Sequence, residues 1–208
     1  MKAVLLCNIE QKEEILQKPI NEDVELVFCI DDLNVFKTTA GDAFFDLINE
    51  DPTTFPNQKD ALLFINAVNK TLKELPEKSI RINAWSGFLK RDTIELVATE
   101  AQKHKVDGVM NQLGWKFQFV ADEPGMVAPR IIAMIINEAY FGLEDAISTK
   151  EEIDIAMKLG TNYPYGPFEW AEKIGKKQIL LLLETLTKLD KRYTPSKLLV
   201  QEANLDIP

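Results

Sequence analysis

The side chains that most often carry out protein chemistry are sparse in this sequence. Its single histidine, His104, lies in the polar stretch 102–105, which is typical of the solvated face of a helix. Its two cysteines, Cys7 and Cys29, each lie in a short apolar run typical of a buried strand. Zinc sites, Ser-His-Asp triads and Cys-His dyads need a histidine or paired cysteines beside other named groups. We therefore expect an exposed histidine, two buried and reduced thiols, and no metal site.

Glycine is also missing where a phosphate-binding turn would need it. The chain has nine glycines, and the first of them is Gly41. A G-x-G-x-x-G turn uses glycine to turn tightly and to let the backbone approach a pyrophosphate. The first predicted strand, at residues 3–7, is followed by no such turn and by no phosphate loop. The sequence thus predicts no bound nucleotide cofactor.

Strand and helix patterns alternate over the first 121 residues, which predicts an α/β domain. Strands are predicted at 3–7, 24–30, 61–65, 79–85, 93–98 and 115–119, and helices at 10–18, 42–49, 70–75 and 106–113. Residues 51–57 contain two prolines and are predicted to form a loop.

Only helical patterns follow, so we predict an all-α domain over residues 122–208. A dense apolar helix is predicted at 126–145, and a capping box with Thr149 as N-cap begins the next, which ends at Gly160. Further helices are predicted at 167–174, 176–189 and 195–203. The predicted boundary between the α/β domain (1–121) and the all-α domain (122–208) falls at this change of pattern.

Charge and hydropathy exclude several classes of partner. The 208 residues include 24 Lys and Arg against 33 Asp and Glu, for a net charge of −9. Nucleic acid is not expected as a partner, because binding its phosphates needs a basic patch. The longest apolar run, 131–136, is much shorter than the about 20 residues of a membrane span. The N-terminal apolar segment is too short for a signal peptide, which predicts a cytoplasmic protein.

Four stretches of the second half resemble, in order, the C-terminal domain of the 3-hydroxyacyl-CoA dehydrogenases. They lie at 122–130, 136–139, 150–160 and 163–169, and the last, with Gly160, resembles the signature G-x-x-Y-P-x-G-P-F-E. The resemblance implies a Rossmann domain that binds NAD, followed by a helical domain that forms a homodimer and closes an acyl-CoA cleft. The implied reaction is hydride transfer between NAD and a 3-hydroxyacyl-CoA, with a histidine polarised by a glutamate.

The resemblance also assigns positions to the family's catalytic residues. It places Glu95 at the catalytic glutamate, and the histidine position, twelve residues earlier, holds Asn83. An asparagine can bind a carbonyl oxygen but cannot exchange a proton near neutral pH. A family asparagine in the motif P-G-F-x-V-N-R corresponds to Pro129, which has no side-chain donor.

The same resemblance indicates a polar cleft and a shortened Rossmann half. The family segment S-N-T-S-S corresponds loosely to 65–69, so Asn66, Asn69 and Asn83 are the candidate residues for binding an acyl-CoA substrate. Residues 24–30 resemble the family strand D-L-V-x-E-A, which normally follows a long dinucleotide-binding segment. This match implies a truncated Rossmann-like domain from which that segment is missing as a block.

Three functions follow from these observations. The first is a non-catalytic relative of the dehydrogenases that binds acyl-CoA or acts as a dimeric scaffold. The second is an active 3-hydroxyacyl-CoA dehydrogenase of fatty-acid metabolism with an atypical site, in which Glu95 is the only motif-matched candidate base. The third is a protein-interaction module that binds no small ligand.

Overall fold

A computed structural model describes residues 1–48 and 61–205 of the chain. Backbone contacts divide it into two compact units, Met1–Met126 and Val127–Pro208. The first unit holds a largely parallel sheet with helices, and the second holds helices. This architecture confirms the predicted class, a Rossmann-like α/β domain followed by an all-α domain. The loop predicted at 51–57 lies outside the described residues.

Seven strands form the sheet within the described part of the first unit. They are β1 (Lys2–Cys7), β2 (Glu25–Ile30), β3 (Ala43–Asp46), β4 (Leu62–Ile65), β5 (Ser79–Ile82), β6 (Thr93–Val97) and β7 (Lys116–Phe119). The helices are α1 (Ile9–Leu16), α2 (Leu33–Thr38) and α3 (Glu100–Leu113), with a 3₁₀ turn at Leu72–Glu74. The six predicted strands are present, the helix predicted at 70–75 is reduced to the 3₁₀ turn, and α2 was not predicted.

The strand order is β2-β1-β3-β4-β5-β6-β7, and the first five strands are parallel. Strand β6 runs antiparallel to β5, and β7 runs parallel to β6. The chain leaves β1 on one side to form β2 and returns to its other side to form β3. Such a reversal opens a crevice at the carboxyl ends of the two strands, which is where doubly wound sheets bind ligands.

The helix predicted at 42–49 is wrong, because Ala43–Asp46 forms strand β3 between β1 and β4. All four of its residues are buried. A central parallel strand is covered on both faces, so its sequence is continuously apolar and lacks the alternation that marks a half-buried strand. Pairing with β1 and β4 therefore overrides the helical preference that the sequence pattern of residues 42–49 indicated.

Strand order also corrects the assignment of residues 24–30. In a Rossmann sheet the second strand lies on one side of the first strand, and the fourth lies on the other. Strand β2 takes the place of the second strand, and β3 takes the place of the fourth. The dinucleotide-binding half is therefore not missing as a block, since a β1–α1–β2 unit is present. Among the described residues, the sheet has no strand beyond β2.

The two cysteines lie on opposite faces of the sheet. Leu6 pairs with Cys29 and Cys7 with Ile30, so the two thiols are one register position apart. Cys7 packs in the cluster that contains Phe45, and Cys29 packs in the cluster that contains Phe36. Both are free and buried, as predicted.

We expect neither thiol to react in the folded protein. Burial is the main reason that the pKa of Cys7 is raised to about 11, and burial also raises the pKa of Cys29. The reactive thiolate is therefore scarce at pH 8 and shielded from the reagent. Mass spectrometry after treatment with iodoacetamide at pH 8 should find no adduct on the native protein and two adducts in urea. Alkylation of the native protein would contradict this expectation.

Helix α3 begins before the predicted helix at 106–113 and buries Val106, Met110 and Leu113 on one face. His104 lies on the exposed face of the same helix, which confirms the sequence prediction. No helix in the described residues is both long and apolar enough to cross a membrane.

The second unit contains all five predicted helices. They are α4 (Ala128–Glu144), α5 (Lys150–Thr161), α6 (Pro167–Ile174), α7 (Lys176–Thr187) and α8 (Lys197–Leu205), with a 3₁₀ turn at Lys191–Tyr193. The predicted capping box of Thr149 and Glu152 is present. The predicted end at Gly160 is wrong, because α5 continues to Thr161 and Asn162 takes the left-handed C-cap conformation, with φ 56°.

Asp154 joins α5 to the beginning of α6. Its Oδ1 accepts the N–H of Phe168 at 2.8 Å, and its Oδ2 accepts the N–H of Glu169 at 3.1 Å. Burial raises the pKa of this carboxyl despite the two hydrogen bonds. Gly166 lies so close to it that an added Cβ would come within 2.3 Å of the Asp154 Oδ1. The glycine in the segment 163–169 is thus required by this contact.

Candidate functional site

The asparagines selected from the sequence lie at or just beyond the carboxyl ends of β4 and β5. Asn66, Asn69 and Asn83 are only 8%, 4% and 3% exposed. Asn66 Nδ2 donates to the carbonyl of Leu47 at 3.0 Å, and its Oδ1 accepts the N–H of Ala84 at 3.0 Å. The Asn66 amide therefore connects the segments that follow β3 and β5.

Asn83 and Glu95 are cross-strand neighbours. Ile82 pairs with Leu96, and the N–H of Asn83 donates to the carbonyl of Glu95 at 3.1 Å. Directly opposed residues of an antiparallel pair place their side chains on the same face of the sheet. Asn83 Oδ1 instead accepts the N–H of Trp85 at 3.4 Å. Within the described residues, the Asn83 side-chain nitrogen donates no hydrogen bond. The two positions matched to the catalytic pair are adjacent, but their side chains are not hydrogen-bonded to each other.

The turn from β1 to α1 is closed by side chains. Asn8 Oδ1 accepts the N–H of Gln11 at 2.8 Å, and Gln11 Oε1 accepts the N–H of Asn8 at 3.1 Å. Gln11 Nε2 then donates to the carbonyls of Leu47 and Ala84, at 2.8 and 3.0 Å. This glutamine is 4% exposed, so its amide spans the carboxyl edge of the sheet from the end of β3 to the end of β5.

These residues do not fit the pyrophosphate of a dinucleotide. A pyrophosphate needs the free N–H groups of a helix N-terminus and a glycine turn that lets it approach. Here the Asn8 side chain already accepts the N–H of Gln11 in the first turn of α1, and Glu10 adds a negative charge in the same turn. Asp31 and Asp32 follow β2, where Rossmann folds place the acid that binds the ribose, but Asp32 caps α2 by accepting the N–H of Val35 at 2.9 Å.

Arg81 is a buried residue that the sequence analysis did not select. Its side chain is wholly buried, and its Nη1 lies 2.7 Å from the Oδ1 of Asp122. Nε donates to the carbonyl of Ala67 at 2.9 Å, and Nη2 donates to the carbonyls of Val68 and Glu123, both at 3.1 Å. Burial lowers the pKa of Arg81, and Asp122 opposes this shift. The guanidinium thereby holds the turn that carries Asn66 and Asn69.

Glu14 holds the turn that follows Asn83. Its Oε1 accepts the N–H of Gly87 at 2.5 Å, and its Oε2 accepts the N–H of Lys90 at 3.3 Å. Gly87 has a φ of 91°, which favours glycine. Trp85 Nε1 and Ser86 Oγ are buried in this turn without a hydrogen-bond partner in the described structure. Over residues 1–48 and 61–205, no cluster of acidic, histidine or cysteine side chains could hold a metal ion.

The second unit has a recognisable family match. A family model described as the C-terminal domain of 3-hydroxyacyl-CoA dehydrogenase matches residues 125–206. The 3-hydroxyadipyl-CoA dehydrogenase of Escherichia coli is 33% identical over 173 residues, which is 80% of this chain and 36% of that protein. The 3-hydroxybutyryl-CoA dehydrogenase of Clostridioides difficile is 27% identical over 194 residues, which is 86% of this chain and 66% of that protein. The chain thus spans less than two thirds of either relative.

A solved structure shows the same fold. The (S)-3-hydroxybutyryl-CoA dehydrogenase of Ralstonia eutropha aligns with a TM-score of 0.69 and covers 98% of this chain and 93% of its own, at 19% identity. The fold of both units, the match to the C-terminal domain and the identity to the E. coli relative agree with one another. Residues 125–206 match the C-terminal domain of the 3-hydroxyacyl-CoA dehydrogenase family, and the chain as a whole is similar to members of that family.

Proposed function

We propose that this protein binds an acyl-CoA and does not catalyse NAD-dependent hydride transfer. The observation that carries the proposal is the closed β1–α1 turn. Gln11 fills the crevice at the switch point with an amide that is hydrogen-bonded to Leu47 and Ala84. A dinucleotide would have to displace that amide and then place its phosphates beside Glu10.

The composition of the catalytic positions supports the same proposal. Asn83 stands where the family has its histidine, and Pro129 lies in the first turn of α4 where the family has an asparagine. An amide has no proton to exchange at neutral pH, so Asn83 cannot take up the proton released when a 3-hydroxyl is oxidised. The donors of its amide can still bind a carbonyl oxygen.

Assembly as a homodimer through the second unit is part of the proposal. Helix α5 exposes Ile155 and Leu159, which are one turn apart and 54% and 83% exposed. An apolar stripe of this kind is typical of a helix that packs against a partner. Cytoplasmic localisation is likewise proposed, because both cysteines are free thiols.

Calorimetric titration with acetoacetyl-CoA, with and without NADH, tests the proposal. We expect binding of acetoacetyl-CoA with a Kd that NADH leaves unchanged, and no enhancement of NADH fluorescence. Binding that NADH strengthens, or oxidation of NADH in the mixture, would refute the non-catalytic assignment. The absence of heat in both titrations would refute acyl-CoA binding and favour a dimeric scaffold.

The second candidate function is an active dehydrogenase with an atypical site. Two observations favour it: the acidic pair Asp31–Asp32 follows β2, and Glu95 lies opposite Asn83. If this function is correct, NADH oxidation by acetoacetyl-CoA should be measurable, and Glu95→Gln should abolish it. On the leading proposal no oxidation occurs, and Asn83→His does not introduce it because the β1–α1 turn remains closed.

A further inference from the structure

Strand β2 forms one edge of the sheet, and its outer side pairs with no strand in the described residues. On its inner side, the N–H groups of Glu25 and Asp31 donate to the β1 segment at 2.9 and 3.1 Å. Because successive residues of a strand direct their backbone groups to opposite sides, those of Leu26, Phe28 and Ile30 point away from β1. Such a row of outward backbone groups is a template on which an extended peptide can add as a further strand.

The surroundings of this edge are apolar and partly exposed. Four of the six β2 residues are half-buried, whereas every residue of β3 is buried. Ile15 of α1 packs with Phe28 on one face of the sheet, and Phe36 of α2 packs with Val27 on the other. In the described part of the first unit, the large apolar side chains that are exposed all belong to these two helices: Ile9, Leu16, Leu33 and Val35. Exposed apolar side chains gathered at one place are typical of an interaction surface.

Exposed carboxylates lie at both ends of β2. Residues 19–36 contain five acidic residues and no Lys or Arg. All five are exposed, three at the start of the strand and two directly after it: Glu22, Asp23, Glu25, Asp31 and Asp32. Three cations lie beside them. The Met1 ammonium donates to the Asp23 carbonyl at 2.9 Å, Lys2 lies 3.5 Å from Glu25, and Lys12 lies over the Phe28 ring. The acids outnumber these cations, so the edge has an apolar centre between negative ends.

A second copy of the chain does not fit this edge. Two β2 strands related by a twofold axis at Phe28 would form the antiparallel pair that uses all the outward backbone groups. Glu25 of each strand would then lie opposite Asp31 of the other. Like charges directly opposite each other destabilise a strand pair. The charges therefore favour a partner strand with basic ends.

We infer that the outer edge of β2 binds an extended segment of another protein as an additional strand, and that this segment has an apolar centre between basic ends. The outward backbone groups of Leu26, Phe28 and Ile30 pair with the segment, and the carboxylates at the two ends attract its Lys or Arg side chains. This inference goes beyond the proposed function. It does not depend on acyl-CoA binding, so either can fail alone.

Amide hydrogen exchange followed by NMR tests the strand pairing. In the free protein we expect the amides of Leu26, Phe28 and Ile30 to exchange at least about tenfold faster than those of Val27 and Cys29, which face β1. A synthetic peptide of alternating Val and Thr, with two Lys at each end, should slow the exchange of the three outward amides at least about tenfold. Slow exchange of those amides in the free protein would overturn the inference, because this chain or a second copy would already cover the edge.

Two control peptides separate strand pairing from charge, and fluorescence anisotropy measures the affinity of each. The Lys peptide with Pro at its centre lacks a backbone donor, so it should bind at least about tenfold more weakly. The peptide with Glu in place of the terminal Lys should be weakened by a similar factor. If the Lys peptide binds but leaves the outward amides unprotected, charge alone holds it at another place and the inference is wrong. Absence of binding by the Lys peptide would also overturn it.

A charge reversal in the protein tests the role of the acidic ends. Glu22→Lys combined with Glu25→Lys should weaken binding of the Lys peptide about tenfold and strengthen binding of the Glu peptide. The matched control is Glu77→Lys combined with Glu100→Lys, which makes the same charge change at exposed positions before β5 and in α3. It should change either affinity less than about twofold, because solvent screens distant charges. Equal effects of the two double variants would show that the carboxylates beside β2 do not select the partner.

Discussion

Asp122→Ala is expected to lower the free energy of unfolding by about 3–5 kcal/mol, the range found when a buried ion pair loses one partner. The substitution leaves the Arg81 guanidinium, which is wholly buried, without its carboxylate. It also removes the acceptor of the Leu72 N–H, which contacts both oxygens of Asp122 at 3.0 and 3.1 Å.

Urea unfolding followed by tryptophan fluorescence measures this loss. The matched control is Asp92→Ala, which breaks the ion pair between Asp92 and Lys116. The side chain of Asp92 is 76% exposed and that of Lys116 is 72% exposed. An exposed pair of this kind contributes less than about 1 kcal/mol. Equal losses for Asp122→Ala and Asp92→Ala would show that the buried pair does not hold the turn.

Gly166→Ala is expected to destabilise the second unit by about 1–3 kcal/mol, the usual effect of overpacking a filled site. The new Cβ would approach Cβ and Cγ of Asp154 to 2.4 Å. Asp154 cannot move aside without releasing the N–H groups of Phe168 and Glu169, which begin α6. Relief of the clash therefore loses the cap of the helix.

Gly160→Ala is the control, and we expect the opposite sign. No atom outside its own helix segment lies within 4 Å of the Cβ position at Gly160, which is exposed in α5. Alanine there should raise stability by up to about 1 kcal/mol, since it has the higher helix propensity. Thermal unfolding of both variants by circular dichroism tests the pair. Destabilisation of similar size at the two positions would mean that the Asp154 contact is not the cause.

Sequence patterns predicted the elements whose signals are local. The helices of the second unit have apolar periodicity and caps, and all five are present. Strand β3 was predicted as a helix because its identity as a strand depends on pairing with β1 and β4, which no local pattern reveals. Asn162 ends α5 in place of Gly160 because asparagine also tolerates the left-handed region.

The candidate site was predictable to a smaller extent. The motif match located Asn83 and Glu95, and the antiparallel ladder places them opposite each other. The contacts that hold the site join residues far apart in the chain: Arg81 and Asp122 are separated by 41 positions, and Glu14 and Gly87 by 73. The only local sign was an arginine between two isoleucines in strand β5, which signals a buried partner without identifying it.

The Gln11 amide also constrains how this turn can change during evolution. On the proposed function, dinucleotide binding would require glycine in the β1–α1 turn and the removal of Gln11. Removing Gln11 first deprives the buried Ala84 carbonyl of its donor, at a loss of about 1–3 kcal/mol. Replacing Asn8 by alanine first breaks the cap of α1, at a loss of about 1 kcal/mol, and replacing it by glycine loses only a few tenths but gains no ligand. On that function, single substitutions in either order lower stability before a dinucleotide could bind, so each first step is disfavoured.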